Sequence, residues 1–157
     1  MAIVNPTQPC PCTSGRILGE CCGPYLAGGE PPDAVALMRS RYTAFALGVP
    51  GHLWRTLHAT HADRARSEAE LLRALEKASR TFKYRGLWIL DHAESAPRAQ
   101  VLFQVKLWQS GQDRSFLEKS EFLHDGTGWR YLSGELVPVS TVKGDAKALR
   151  LDTFPPK

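Results

Sequence analysis

Ala99-Gln100-Val101-Leu102-Phe103-Gln104-Val105-Lys106-Leu107-Trp108 is the stretch on which the fold turns. Val101, Phe103, Val105 and Leu107 recur at every second position, and in an extended chain such residues share one face. Three more segments read the same way: Phe82 to Leu90, Phe116 to Leu123 and Gly128 to Val139. The connections at Ala93 to Arg98, Ser110 to Asp113 and His124 to Gly128 contain Gly, Pro, Ser or Asp and suit antiparallel hairpins. Upstream of Thr81 the period is 3.6. Asp33 to about Leu47 places Ala34, Leu37, Met38, Tyr42 and Phe45 on one stripe, with Asp33 as N-cap and Gly48 and Pro50 as the stop. A short helix around His52 to His58 follows. A third runs from about Ser67 to Arg80, opened by Ser67-x-x-Glu70, with Leu71, Leu72, Leu75 and Ala78 inward. About three helices followed by four antiparallel strands predict an α+β fold, helices laid on one face of the sheet.

The 157 residues carry 20 Lys plus Arg against 16 Asp plus Glu, a formal charge of +4, and suffice for one domain with a small appendage. Residues 1–32 hold six of the 11 prolines and too few apolar residues for a core. They are read as one segment, 33–139 as the α+β domain and 140–157 as a polar, partly mobile tail with one apolar patch, Leu149 to Phe154. The opening residues have no basic, apolar leader pattern, and no run approaches the roughly 18 apolar residues of a membrane span. A cytoplasmic, reducing setting without membrane insertion is expected.

All four cysteines fall within thirteen residues: Cys10, Cys12, Cys21 and Cys22. A stapled secreted scaffold would spread them across the fold. Two short arms bearing soft ligands are what a tetrahedral thiolate site requires, and one structural zinc ion is the expected cofactor. Disulfides between the arms, or four free thiols, are the alternatives. With four thiolates and zinc bound, the net charge falls from +4 to about +2.

The run Cys10-Pro-Cys12-Thr13-Ser14-Gly15 with Cys21-Cys22-Gly23 resembles the SEC-C motif, the zinc-binding tail of the translocase ATPase SecA. Leu37-Met38-Arg39-Ser40-Arg41-Tyr42, Glu118-x-Ser120-x-Phe122 and Trp129-x-Tyr131-x-x-Gly134 extend the likeness to the uncharacterised bacterial YchJ family. There a SEC-C motif precedes a domain similar to nuclear transport factor 2, which implies a cone with a curved sheet. The resemblance covers roughly residues 10 to 138. Thr13 stands where the motif usually has Gly, and no second SEC-C motif follows, as it does in many members.

Arg41 falls within the apolar stripe of the first helix, and Glu118 shares a strand face with Phe116, Ser120 and Phe122. Either charge buried alone is costly, so the two are expected to meet as a pair. The functional reading of the same residues is a polar pocket floor, with Arg41, Tyr42, Glu118 and Trp129 as candidate lining and Glu118 as base or ligand group. His58, His61 and Asp63 match no metal template and are read as surface or satisfied groups. Phosphate loops, nucleophile elbows and paired metal-binding histidines do not occur. Between Arg55 and Arg85 there are eight basic and four acidic residues, a weak pointer to nucleic acid. The resemblance to SEC-C segments implies an interaction module or adaptor with a protein or other macromolecular partner. Small-molecule binding or an enzymatic activity in the cone is the competing reading.

Overall fold

The computed structural model describes residues 5–156, so the first four residues of the 1–32 segment and Lys157 of the tail lie outside it. Residues 9–17 form a hairpin closed by a bridge between Pro9 and Ile17. A 3-10 turn over Leu18–Glu20 leads into helix α1, Gly23–Leu26. Helix α2 spans Ala34–Leu47, α3 Pro50–Arg55 and α4 Glu68–Thr81. The caps act as the sequence indicates. The Asp33 side chain accepts from the Ala36 N–H at 2.7 Å, satisfying a free donor of the first turn. Gly48 ends α2 with φ at +72°, a left-handed conformation that glycine adopts without steric cost. Pro50 both follows that stop and opens α3, where a missing N–H is harmless.

The strands are β1 Lys83–Ser95, β2 Arg98–Gln109, β3 Gln112–Asp113, β4 Phe116–His124 and β5 Trp129–Pro138. They form one antiparallel sheet in the order β1-β2-β4-β5, with β3 pairing β2. Two details of the strands differ from the sequence reading. Strand β1 runs on to Ser95, because Asp91 to Ser95 pair with Leu102 to Arg98 despite their polar character; a neighbouring strand overrides weak local preference. The two-residue β3 has no periodicity to reveal it.

Helix α2 lies on the inner face against Leu87, Val101, Phe103, Val105 and Phe122. It is buried on several sides, including Ser40, Arg41 and Thr43 as well as Leu37 and Met38. The outer face is covered by the C-terminal segment: Ala146 and Phe154 pack with Leu102 and Leu117, and the Leu151 N–H donates to Asp91 Oδ2 at 2.9 Å. The partly mobile tail expected from composition is thus corrected to a packed one, since its apolar patch has a sheet face to cover. No helix among the described residues is long and apolar enough to cross a membrane.

Two sets of polar contacts hold these elements together. His52 Nε2 meets Ser40 Oγ at 2.8 Å, joining α3 to α2. Glu30 receives Arg130 through both oxygens, at 2.9 and 3.1 Å, while Arg130 Nε meets Asp125 at 3.2 Å. Arg55 also reaches Glu30 at 3.1 Å and donates to the Tyr25 and Gly29 carbonyls. A bidentate arginine–carboxylate pair is geometrically demanding, so this cluster holds the linker after the cysteines against the β4–β5 hairpin.

Glu30→Ala should cost about 2 kcal/mol, between the values for exposed and buried pairs because Glu30 is partly exposed. A Glu30/Arg130 double-mutant cycle in urea is the check, and a coupling near zero would sink the clamp. Burial, with Arg41 and Arg55 nearby, pulls His52 from 6.5 down to about 3. The unfolded chain therefore takes up the proton first. Stability from neutral His52 is complete above about pH 6.5 and falls with pH toward 3, by about 1.4 kcal/mol per unit at most. Between pH 7 and 4.5 the wild type should lose about 2 kcal/mol more than His52→Gln. Parallel losses in chemical denaturation would remove His52 as the cause.

Candidate functional site

Two sites flank α2. The first is the cysteine cluster. Cys10 and Cys12 sit on the hairpin, Cys21 follows the 3-10 turn and Cys22 caps α1. Their four sulfurs lie within 4.8 Å of one another, with Cys12 and Cys21 at 3.5 Å and Cys21 and Cys22 at 3.9 Å. A tetrahedral ion with metal–sulfur bonds of about 2.3 Å has sulfur–sulfur edges of about 3.8 Å. The donor set therefore fits one soft cation, and four cysteines are placed to hold a metal. All four are free thiols. They cannot ionise independently: hydrogen bonds with Cys10 and Cys22 hold Cys12 far below the usual thiol range, and those with Cys10 and Cys12 push Cys22 far above it.

The cluster is tied to the rest of the fold. Cys10, Cys12 and Cys22 belong to the same core as α2 and the sheet. Cys10 Sγ meets Thr43 Oγ1 at 3.7 Å, and Arg39 Nη1 donates to the Cys12 carbonyl at 3.0 Å. Thr13 has φ at +62°, a left-handed conformation that glycine adopts without steric cost. For a β-branched residue this is strained. Its hydroxyl offsets the strain by donating to the Leu87 carbonyl of β1 at 2.6 Å.

The second site is a cavity of about 660 Å³ between the helices and the inner sheet face. Its walls are mostly apolar. Leu71 and Leu75 of α4 face Phe103 and Phe116 of the sheet across it. Among the α4 residues only Leu71 is buried, because the helix stands off the sheet and leaves its stripe half covered.

Its polar end gathers Arg41, His61, Asp63, Glu118 and Tyr131. A register shift between Glu121 and Phe122 sets the geometry. Beyond this bulge Glu118 pairs with Leu136 and Ser120 with Gly134, while Phe122 pairs with Tyr131, so all six lie on the inner face. Tyr131 is also fastened through its backbone: its N–H donates to Thr56 O and its carbonyl accepts from the His58 N–H, each at 2.8 Å.

The expected Arg41–Glu118 ion pair is corrected here. Arg41 has no carboxylate in salt-bridge contact among the described residues. Tyr131 intervenes. The guanidinium lies over its ring at 4.6 Å, and its hydroxyl donates to Glu118 Oε2 at 2.8 Å. Ser120 Oγ donates to the same oxygen. Burial raises the Glu118 carboxyl, against the opposing pull of Ser120, Tyr131 and Arg41. Burial likewise brings Arg41 down to about 10.

Tyr42 lines the cavity, pushed up to about 12 by burial. Trp129 does not. It is buried in the main core and meets His124 edge-on at 5.3 Å, at the hairpin end of β5. Tyr131 takes the position proposed for it. His61 and Asp63, read as surface or satisfied groups, line the cavity, with His61 Nδ1 accepting from the Asp63 N–H at 3.0 Å, whereas His58 turns to Thr60 at 2.8 Å. Among the described residues the four cysteines are the one metal-competent cluster. The signal for Tyr131 was Gly134: a Cβ at that position would collide with both the Glu118 carboxylate and the Tyr131 hydroxyl.

Comparison with known proteins agrees with this architecture. The family described as YchJ, middle NTF2-like domain, matches residues 33–134. A UPF0225 protein of Bordetella pertussis is 35% identical over 138 residues, covering 84% of this chain and 97% of its own. The solution structure of a SEC-C motif containing protein from Rhodopseudomonas palustris superposes with a TM-score of 0.70 at 30% identity, over 82% of this chain and 98% of that one. A crystal structure of a SEC-C motif containing protein from Psychrobacter arcticus shares the fold at 22% identity and a TM-score of 0.69, over 91% and 90% of the two chains. Four clustered thiols docked on a cone-like sheet and helix layer, together with these matches, make the chain a member of the bacterial YchJ-type family.

Proposed function

We propose that this protein is a small-molecule-binding cone whose cysteine knuckle carries one structural zinc ion. The observation that carries the binding reading is the cavity of about 660 Å³, apolar along its length and polar at one end, into which Arg41 and Glu118 both open without closing on each other. Small-molecule sites have this combination of apolar walls and a few convergent polar groups. A filled interior with a closed ion pair would have favoured a purely structural core. Arg41 and Tyr131 would orient a polar group of the ligand, and Glu118 would accept or share a proton with it.

Zinc follows from four thiolates at tetrahedral spacing and from the cysteine motif of the family. With all four positions supplied by protein, the ion has no site for substrate and acts on stability. Its role is to hold residues 8–28 against α2 in a reducing, cytoplasmic setting. An adaptor role for the knuckle is the second reading, supported by Ile17, which is 38% exposed on its hairpin. A protein partner docking there would be lost from pull-downs with Ile17→Asp, whereas cavity variants would leave it bound.

Elemental analysis should find one zinc per chain, and removal by a strong chelator should lower the thermal midpoint. Metal-free protein with an unchanged midpoint would overturn the structural role. For the cavity, a neutral fluorescent probe, N-phenyl-1-naphthylamine, should bind the native chain. Leu75→Trp, which fills the cavity from α4, should weaken that binding about tenfold, in line with loss of a well-packed apolar contact. Equal binding by a folded Leu75→Trp variant would place the probe elsewhere.

A further inference from the structure

Arg41 is only 6% exposed and carries the one formal charge on the buried side of α2. Its Nη1 donates to Leu53 O at 3.0 Å and to Thr56 Oγ1 at 2.7 Å. Both acceptors are neutral, so they fix the plane of the guanidinium without balancing its charge. The Tyr131 ring adds cation–π attraction at 4.6 Å, which is weaker than a full counter-charge. A guanidinium has five N–H donors. Among the described residues only Nη1 is engaged in hydrogen bonds, and the group lines the cavity.

The other charged groups on the lining do not complete the pair. Glu118 commits Oε2 to Ser120 and Tyr131. Asp63 lies beside His61 at 3.9 Å and has no salt bridge to Arg41. Arg114, an exposed residue of the lining, adds a second cation. Glu118 and Asp63 attract Arg41 only from a distance, and a buried cation without an anion in direct contact is unfavourable. A planar fork with free donors facing an apolar space matches a carboxylate, which it can hold with two parallel hydrogen bonds.

We propose that the cavity takes an amphipathic carboxylate, its head held by the free donors of Arg41 and its apolar body enclosed by Leu71, Leu75, Phe103 and Phe116. This inference rests on the cavity-binding reading and adds the chemistry of the head group. The same apolar body with a different head should therefore bind differently.

The test displaces N-phenyl-1-naphthylamine with 4-phenylbutyrate, 4-phenylbutan-1-ol and 4-phenylbutylamine under one buffer condition. The expected order is acid, then alcohol, then amine, with the acid about tenfold or more tighter than the alcohol, as a charge-assisted contact would give. Arg41→Gln should weaken the acid about tenfold or more and abolish its advantage over the alcohol. If the naphthylamine itself fails to bind, the cavity reading falls and this inference with it. If it binds but acid and alcohol displace it equally, or the amine binds best, or no member of the series displaces it, the cavity reading stands and the carboxylate is overturned. The head-group series on the native chain decides the matter even if Arg41→Gln fails to fold.

Discussion

Helix α2 is the element to which both sites are bound, because its 14 residues are covered on nearly every side. Thr43 and Arg39 meet the cysteine knuckle, Ser40 meets His52 of α3, and Leu37 and Met38 meet the sheet. Arg41 and Tyr42 turn into the cavity. A helix so enclosed cannot carry a single clean apolar stripe, since its neighbours differ in polarity from one side to another. The knuckle has little apolar surface of its own. Its four cysteines, placed to hold a metal, converge where a segment this small cannot build a core.

The cavity exists because two constraints prevent collapse. The Glu121–Phe122 bulge bends β5 and changes which of its residues face inward, while the backbone bridge at Leu57 and Tyr131 pins that strand to the segment after α3. Tyr131 is thereby held between Arg41 and Glu118 and keeps the two charges apart. Helix α4, opened by its Ser67 cap, spans the space above without filling it. Three of the polar-end residues, Arg41, Glu118 and Tyr131, are set by a helix and two paired strands, and His61 and Asp63 by the connection between α3 and α4.

Much of the fold was legible locally. Alternation in Val101, Phe103, Val105 and Leu107 identified an inner strand face, and all four are buried. Asp33, Gly48 and Ser67 marked helix ends because capping is chemistry within one turn. Cysteine spacing likewise located four ligands that the fold brings together. What escaped were contacts between residues distant in sequence. Glu30 and Arg130 are 100 residues apart. His52 became a buried neutral group only through Ser40 and the burial of α3. The tail found an outer sheet face that no periodicity within it announces.

Residue types and their local spacing were enough to establish helices before strands, an α+β class and a four-thiol cluster, since each depends on neighbours within a turn or a hairpin. Whether Arg41 closed on Glu118 or stayed open to a cavity depended on where the β5 bulge placed Tyr131 relative to α2. That placement is set by backbone pairing across the sheet and between Tyr131 and the segment after α3. A one-residue change of register reverses inward and outward along a strand. Such a shift is a property of the assembled sheet, and Trp129, Tyr131 and Gly134 acquire their roles only within it.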